Sequence, residues 1–394
     1  MLSRLPDRKI SVLKLAERIR KCMPVGLSDE NVFELCTRVF FEETNSRFYT
    51  LVESYKIIRL VFCTLRCELE ILQDIADDSS VTEIMVNGPG SIFVERNGKI
   101  VKEDLEFESR EQLERIIQRL AAGVGREMND MNPIVDARLS DGSRINAVHS
   151  NIALDGPILT IRRFNKSRMR MEDLIAQGDI SEDAADLIKL LVECGYNIFV
   201  SGGTSSGKTT FLNILSDYIP EDERVIVIED SAELQIRAHE NLVRMESKAA
   251  NAQGKGEVSI RDLIRSSLRM RPDRIIVGEV RGVEVIDMIA AMSTGHDGSL
   301  STGHANSAKG MIRRLETMYL AESNFPIDAV QAQIAEALEI IVHLQRDSSG
   351  HRRVEEICEF LGYEQGNPVL NRLYPEGEKL RRKEKLQRVY PGRE

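Results

Sequence analysis

The sequence predicts an α/β protein. A C-terminal domain with a parallel sheet flanked by helices surrounds a phosphate-binding loop, and it is preceded by a smaller α/β domain and an N-terminal helical module. Three observations predict this. From about residue 174 onward, apolar runs of strand length alternate with helical patterns, the rhythm of a parallel sheet. The run at 196–200 leads straight into GGTSSGKTT and then the helical FLNILSDYI, giving strand, tight loop and helix in succession. Upstream, residues 81–164 alternate as short strands and turns, whereas residues 27–74 carry apolar residues at helical spacing. The domains expected are 1–74, 75–164, a linker at 165–173, and 174–394.

At 394 residues, 42% of them hydrophobic, the chain is too long for one core and can bury two or three. Its 53 basic against 63 acidic side chains leave a formal charge of −10, which suits a soluble cytosolic body and would repel a nucleic acid. The six cysteines include no CxxC pair, so free thiols in a reducing compartment are expected, not a disulfide framework or a structural zinc. The start, MLSRLPDRKISVLKLAERIRK, is basic but has no continuous apolar core, so it is not read as a signal peptide. The longest apolar stretch, IIRLVFCTL, contains Arg59 and is too short to span a bilayer.

In chain order, residues 1–21 set Arg4, Arg8, Lys9, Lys14, Arg18, Arg20 and Lys21 against Asp7 and Glu17. They read either as a solvated arm or as a docking segment for a partner or an anionic lipid surface. Helices follow, with Val32, Leu35, Val39 and Phe40 as core positions. VTEIMVNGPGSIFVERNGKIV has hairpin chemistry at residues 87–90 and 97–98. Ser109 and Gln112 form a capping box that opens a helix at 109–122. SRINAVHS and ILTIRRF are strands, and the polar NKSRMRMED is the linker. Further strands are expected at 197–200, 225–228, 274–277, 300–302 and 339–344, with a flexible loop in AANAQGKGEVS and a helix at 260–270. A strand pair and a frayed basic tail, LRRKEKLQRVYPGRE, complete the chain.

The loop Gly202, Gly203, Thr204, Ser205, Ser206, Gly207, Lys208, Thr209 and Thr210 fits GxxxxGK[ST]. Its glycines let backbone N–H groups converge on phosphate oxygens, the following helix adds its positive end, Lys208 neutralises the outer phosphates and the Thr209 hydroxyl holds Mg²⁺. A nucleoside triphosphate site is expected. Hydrolysis further needs carboxylates at neighbouring strand ends to orient water and hold the metal. RIIVGEVRG supplies Glu279, with Gly278 where an aspartate is usual, and VIVIEDSAEL supplies Glu229, Asp230 and Glu233. STGHDGSLSTGHANSA carries His296 and His304, read as a phosphate sensor or as structural histidines; with Asp297 their spacing matches no metal pattern. Arg144, Arg162 and Arg163 in the preceding domain are either surface arginines or a source of guanidinium charge for a transferring phosphoryl group.

Taken together, GGTSSGKTT, VIVIEDSAEL, RPDRIIVGEVRG and TGHDGSLSTGHANS, with DGSRINAV and LTIRRF upstream, resemble the ATPases of type II and type IV secretion systems and type IV pili. With the helical module, the chain is most similar to the CpaF-like branch, which assembles tight-adherence (Flp) pili. The missing CxxC sets it apart from the zinc-bearing type II branch. The resemblance implies a homo-hexamer with a RecA-like C-terminal domain that binds ATP and Mg²⁺, the metal held by Thr209 and Glu229. It implies Glu279 as the water-activating carboxylate, Gly278 as normal for the family, and Arg144 and Arg162 directed to the phosphates. It further implies a cytoplasmic protein, peripherally attached to the inner membrane, that drives membrane platform proteins to assemble pili or secrete proteins. One departure stands out: Ser205 replaces a common glycine. Two other readings stay open, a nucleotide-gated switch with little turnover and a nucleic-acid translocase. The acidic balance and absence of Trp disfavour the second.

Overall fold

The computed structural model describes residues 10–44, 49–96, 98–139, 141–164, 169–236, 239–248, 250, 255–347 and 349–389. Backbone contacts divide the chain into two compact units, Met1–Asn165 and Lys166–Glu394.

The first unit opens with α1 (Val12–Cys22), α2 (Asp29–Thr44) and α3 (Leu51–Arg66), which share a core of Ile19, Val32, Phe40 and Val61. The expectation of a solvated N-terminal arm fails from Ser11 onward. Leu15, Ala16 and Ile19 recur on one face of α1 and are buried, and the Ser11 hydroxyl accepts from the Lys14 amide at 3.1 Å. Residues 1–9 lie outside the described ones.

After the short α4 (Gln73–Asp77) comes an antiparallel sheet of β1 (Val81–Asn87), β2 (Ile92–Arg96), β3 (Lys99–Lys102), β4 (Ile134–Arg138), β5 (Arg144–Val148) and β6 (Ile158–Arg162). Its order is β3-β2-β1-β6-β5-β4. Helix α5 (Arg110–Gly123) lays Leu113, Ile116, Ile117 and Leu120 on its apolar face. Ser109 caps α5 as expected, but the Gln112 side chain accepts from the Glu108 amide, one residue before the cap.

The second unit begins with α6 (Met171–Gln177) and α7 (Glu182–Glu193). Positions 171–173 of the expected linker are therefore helical, and 165–168 lie outside the described residues. The sheet that follows comprises β7 (Ile198–Gly202), β8 (Val225–Glu229), β9 (Leu242–Glu246), β10 (Arg274–Val277), β11 (Leu300–His304), β12 (Ile340–Arg346), β13 (Arg352–Glu364) and β14 (Asn367–Tyr374). Its order is β14-β13-β12-β7-β11-β10-β8-β9, parallel from β12 to β9 and antiparallel at β13 and β14. Interleaved with these strands are α8 (Lys208–Leu215), α9 (Ile260–Ser267), α10 (Glu284–Met292), α11 (Ala308–Ala321) and α12 (Ile327–Ala337), and α13 (Glu384–Val389) is the last element among the described residues.

Because side chains alternate across a strand, each central strand feeds two cores. Ile198 and Val200 of β7 join one core with Phe211 and Leu212 of α8, whereas Phe199 joins the other with Met288 of α10 and Ile312 of α11. Helices therefore cover both faces, and the loops at the strand ends are left to carry the chemistry. The basic tail is not frayed through residue 389: the Tyr196 hydroxyl donates to the Arg382 carbonyl at 2.6 Å, and Lys385 Nζ lies 2.6 Å from Glu339 and 3.0 Å from Asp297.

Candidate functional site

Strand β7 lies inside the sheet, and its C-terminal end delivers the glycine loop. Gly202 is required there: a Cβ would fall 2.4 Å from Ser206 Oγ and 2.6 Å from the Leu344 carbonyl, which belongs to the paired strand and cannot move aside. Gly207 caps α8 with φ +96° and supplies no side-chain acceptor, so the first-turn N–H groups are left for an anion. Ser205 also lies in the left-handed region, at φ +58°, a conformation costing a residue with a Cβ about 1–2 kcal/mol. Lys208 is buried and folds back over the loop, donating to the carbonyls of Gly202 (3.1 Å) and Gly203 (2.8 Å).

Parallel strands bring their C-terminal ends to one edge, so β8, β10 and β11 place their terminal residues beside this loop. His304 ends β11, with Nδ1 3.4 Å from Lys208 Nζ and Nε2 2.9 Å from Glu279 Oε1. The second contact lies off the ring N–H direction, which leaves the buried Glu279 Oε1 without a hydrogen-bond partner among the described residues. Glu279 Oε2 accepts from Arg281 at 2.6 Å, and Arg281 also lies 3.3 Å from Asp230. A row of contacts thus runs Lys208, His304, Glu279, Arg281, Asp230. Burial, reinforced by Lys208, holds the His304 pKa below the ordinary imidazole value.

Glu229 is almost fully buried at the end of β8, and its Oε1 accepts from the amides of Glu233 (2.8 Å) and Leu234 (2.9 Å). Only Oε2 is left for a water or metal. Burial pushes its carboxyl above the usual range. Gly278 is explained by the same side chain, since a Cβ there would come within 3.1 Å of Glu229 Cγ. The hydrogen bond to Glu279 raises the Arg281 guanidinium's pKa, and the charges of Glu279, Asp230 and Glu233 add to it against the opposing effect of burial.

Other expected residues lie elsewhere. His296 precedes β11, at the opposite edge of the sheet from His304, with Nδ1 3.1 Å from the Pro272 carbonyl, which precedes β10. Asp297 pairs there with Lys385 and Arg388, and no cluster of three metal-binding side chains occurs among the described residues. In the first unit, Glu83, Arg162, Arg144 and Arg138 are direct cross-strand partners over β1, β6, β5 and β4, so they share one sheet face. Burial raises the Glu83 carboxyl pKa and Arg162 opposes the shift. Arg163 is structural, donating to the carbonyls of Asp78 and Val81.

Sequence reasoning missed Arg138, whose role in the row follows from strand register, and two residues behind the glycine loop. Buried His343 of β12 lies with Nδ1 2.8 Å from Ser201 Oγ, and Arg352 of β13 donates to the Ser205 carbonyl at 3.0 Å. Cross-strand pairing alone brings them there.

Judged by these atoms, the site fits a magnesium-bound triphosphate. The buried Ser206 Oγ and Glu279 Oε1 lack partners among the described residues, the α8 N-terminus has no side-chain cap, and a Cβ at Gly202 would fill the cradle.

Residues 67–376 match the model of the type II/IV secretion system protein family. A Mycobacterium tuberculosis protein whose name assigns it provisionally to conjugal transfer is 36% identical over 294 residues, spanning 73% of this chain and 83% of that one. The type IV secretion system protein VirB11 of Brucella suis is 31% identical over 319 residues, spanning 73% of this chain and 88% of its own. The crystal structure of the pilus retraction motor PilT with ADP superposes with a TM-score of 0.52 at 22% identity, over 74% of this chain and 81% of that one, and shows the RecA-like phosphate-loop fold shared by the two.

Proposed function

The chain belongs to the type II/IV secretion system protein family, and from that membership we propose that it is an ATP-hydrolysing hexameric motor that drives an inner-membrane platform for pilus assembly or protein secretion. Within the family we assign it to the CpaF-type tight-adherence pilus ATPases. The domain division proposed with it is a helical module at 1–74, an α/β domain at 75–164 and an ATPase domain from 174. The observation that carries the reading is the placement of Glu279 beside Lys208 through His304.

In this reading the glycine loop and the α8 N-terminus bind the β- and γ-phosphates, and Lys208 leaves the Gly202 and Gly203 carbonyls to neutralise them. The Thr209 hydroxyl and the Glu229 carboxylate would hold Mg²⁺, which would supply positive charge to the β- and γ-phosphates. Glu279 orients a water through Oε1 and takes its proton as the water oxygen attacks the γ-phosphorus, while the bond to the β–γ bridging oxygen breaks to give ADP and phosphate. Arg281 holds Glu279 in position through Oε2. His304 links that carboxylate to Lys208, so that phosphate binding at one end is felt at the other. Arg144 and Arg162 contribute guanidinium charge during turnover, and the free energy of hydrolysis is released as motion. No helix among the described residues is long and apolar enough to cross a membrane, in keeping with a peripheral attachment. Steady-state phosphate release with ATP and Mg²⁺ tests the proposal: turnover is expected in the native chain, and none in either the native chain or Glu279→Gln would reject the motor.

A further inference from the structure

Arg352 opens β13, and β12 between it and β7 brings it to the rim of the glycine loop. Its Nε donates to the Ser205 carbonyl at 3.0 Å, and its Cδ lies 3.5 Å from where a Gly207 Cβ would stand, so the side chain runs along the loop from Ser205 to Gly207. Ser205 is the residue of this loop that combines a Cβ with a positive φ. A trans peptide is planar, with its C=O and N–H pointing in opposite directions. Holding the Ser205 carbonyl toward Arg352 therefore turns the Ser206 amide away from it, to the concave side where successive N–H groups form an anion nest.

We propose that Arg352 is a positioning residue for nucleotide binding, which clamps the Ser205–Ser206 peptide so that the Ser206 amide faces the phosphates. It does so where a serine takes a conformation that favours glycine. The inference rests on the reading of the loop as a triphosphate cradle and adds to it a residue about 150 positions away in sequence whose guanidinium acts on the loop and not on the substrate.

The test is ADP binding by calorimetry on the full chain, together with the steady-state kinetics of ATP hydrolysis. Arg352→Ala and Arg352→Met, the second keeping the stem without the donor, should each weaken ADP about tenfold and raise KM for ATP more than they lower kcat. Arg352→Lys, which restores one donor, should recover most of that loss. Arg353→Ala removes the same charge from a neighbour that donates to Gln345 and should bind ADP as the native chain does. Wild-type ADP binding in Arg352→Met, or an equal loss in Arg353→Ala, would overturn the assignment. Lys208→Ala separates the two levels. Lost ADP binding there with unchanged binding in Arg352→Met sinks only the clamp, whereas unchanged binding in Lys208→Ala sinks the cradle itself.

Discussion

The imidazole of His304 stands between Lys208 and Glu279, with Nδ1 3.4 Å from the ammonium and Nε2 2.9 Å from the carboxylate. An ammonium can only donate, so Nδ1 accepts and the ring proton sits on Nε2, the nitrogen nearer Glu279. The lysine that would meet the phosphates and the carboxylate that would meet the water are thereby joined through one neutral ring.

Breaking that link should slow chemistry more than binding. His304→Ala is expected to lower kcat about 10- to 100-fold, with ADP affinity nearly unchanged. Burial and Lys208 depress the His304 pKa, so the ring stays neutral at neutral pH and protonates only below the ordinary imidazole value. The native chain should therefore lose kcat as pH falls through that lower value, and His304→Ala should lack this acid limb. A kcat–pH profile of both proteins checks it.

Glu229 makes a prediction about stability. Its folded pKa is raised by burial, so above the unfolded carboxylate value the folded state holds a proton more tightly than the unfolded chain. Stability from this group is present at low pH and is lost as pH rises through the folded value. Glu229→Gln keeps the acceptor for the Glu233 and Leu234 amides but carries no charge. Urea unfolding should show the variant gaining on the native protein as pH increases from acid to neutral. A difference independent of pH would count against the burial argument.

Gly202→Ala places a methyl group against the Leu344 carbonyl and Ser206 Oγ. Since the carbonyl belongs to the β7–β12 ladder, the loop must shift, at about 1–3 kcal/mol. Denaturation should report that loss, and ADP binding should disappear. Unchanged values for both would mean that the loop tolerates a Cβ.

A buried carboxylate anchors the start of the C-terminal segment. Glu359 is fully buried and accepts from Asn371 Nδ2 (2.8 Å), the Arg381 amide (2.9 Å) and the Arg382 amide (2.6 Å). Glu359→Ala strands the Arg381 and Arg382 amides, at a cost of about 3 kcal/mol. Hydrogen exchange should show the amides of residues 381 and 382 losing protection first.

The sheet around the glycine loop was legible because its strands are buried on both faces and read as unbroken apolar runs, as at Ile198 to Val200 and Ile275 to Val277. The loop was legible because its chemistry depends on local spacing. Edge strand β9, LVRME, was missed, since a partly exposed strand with Arg244 and Glu246 carries no such run. Helix α1 reads as part of a solvated arm or a docking segment because its charges outnumber Leu15, Ala16 and Ile19, and only the tertiary contact reveals the stripe. Arg138, His343 and Arg352 owe their positions to register between strands, which no local spacing encodes. His296 and His304 lie close together in sequence, yet the length of β11 carries them to opposite edges.

The most direct measurement is phosphate release by Glu279→Gln beside the native chain at saturating ATP and Mg²⁺, with ADP affinity measured on both. If Glu279 activates the attacking water, the variant should bind ADP as the native chain does and release phosphate at least about 100-fold more slowly. Equal rates of release, with native turnover intact, would contradict it.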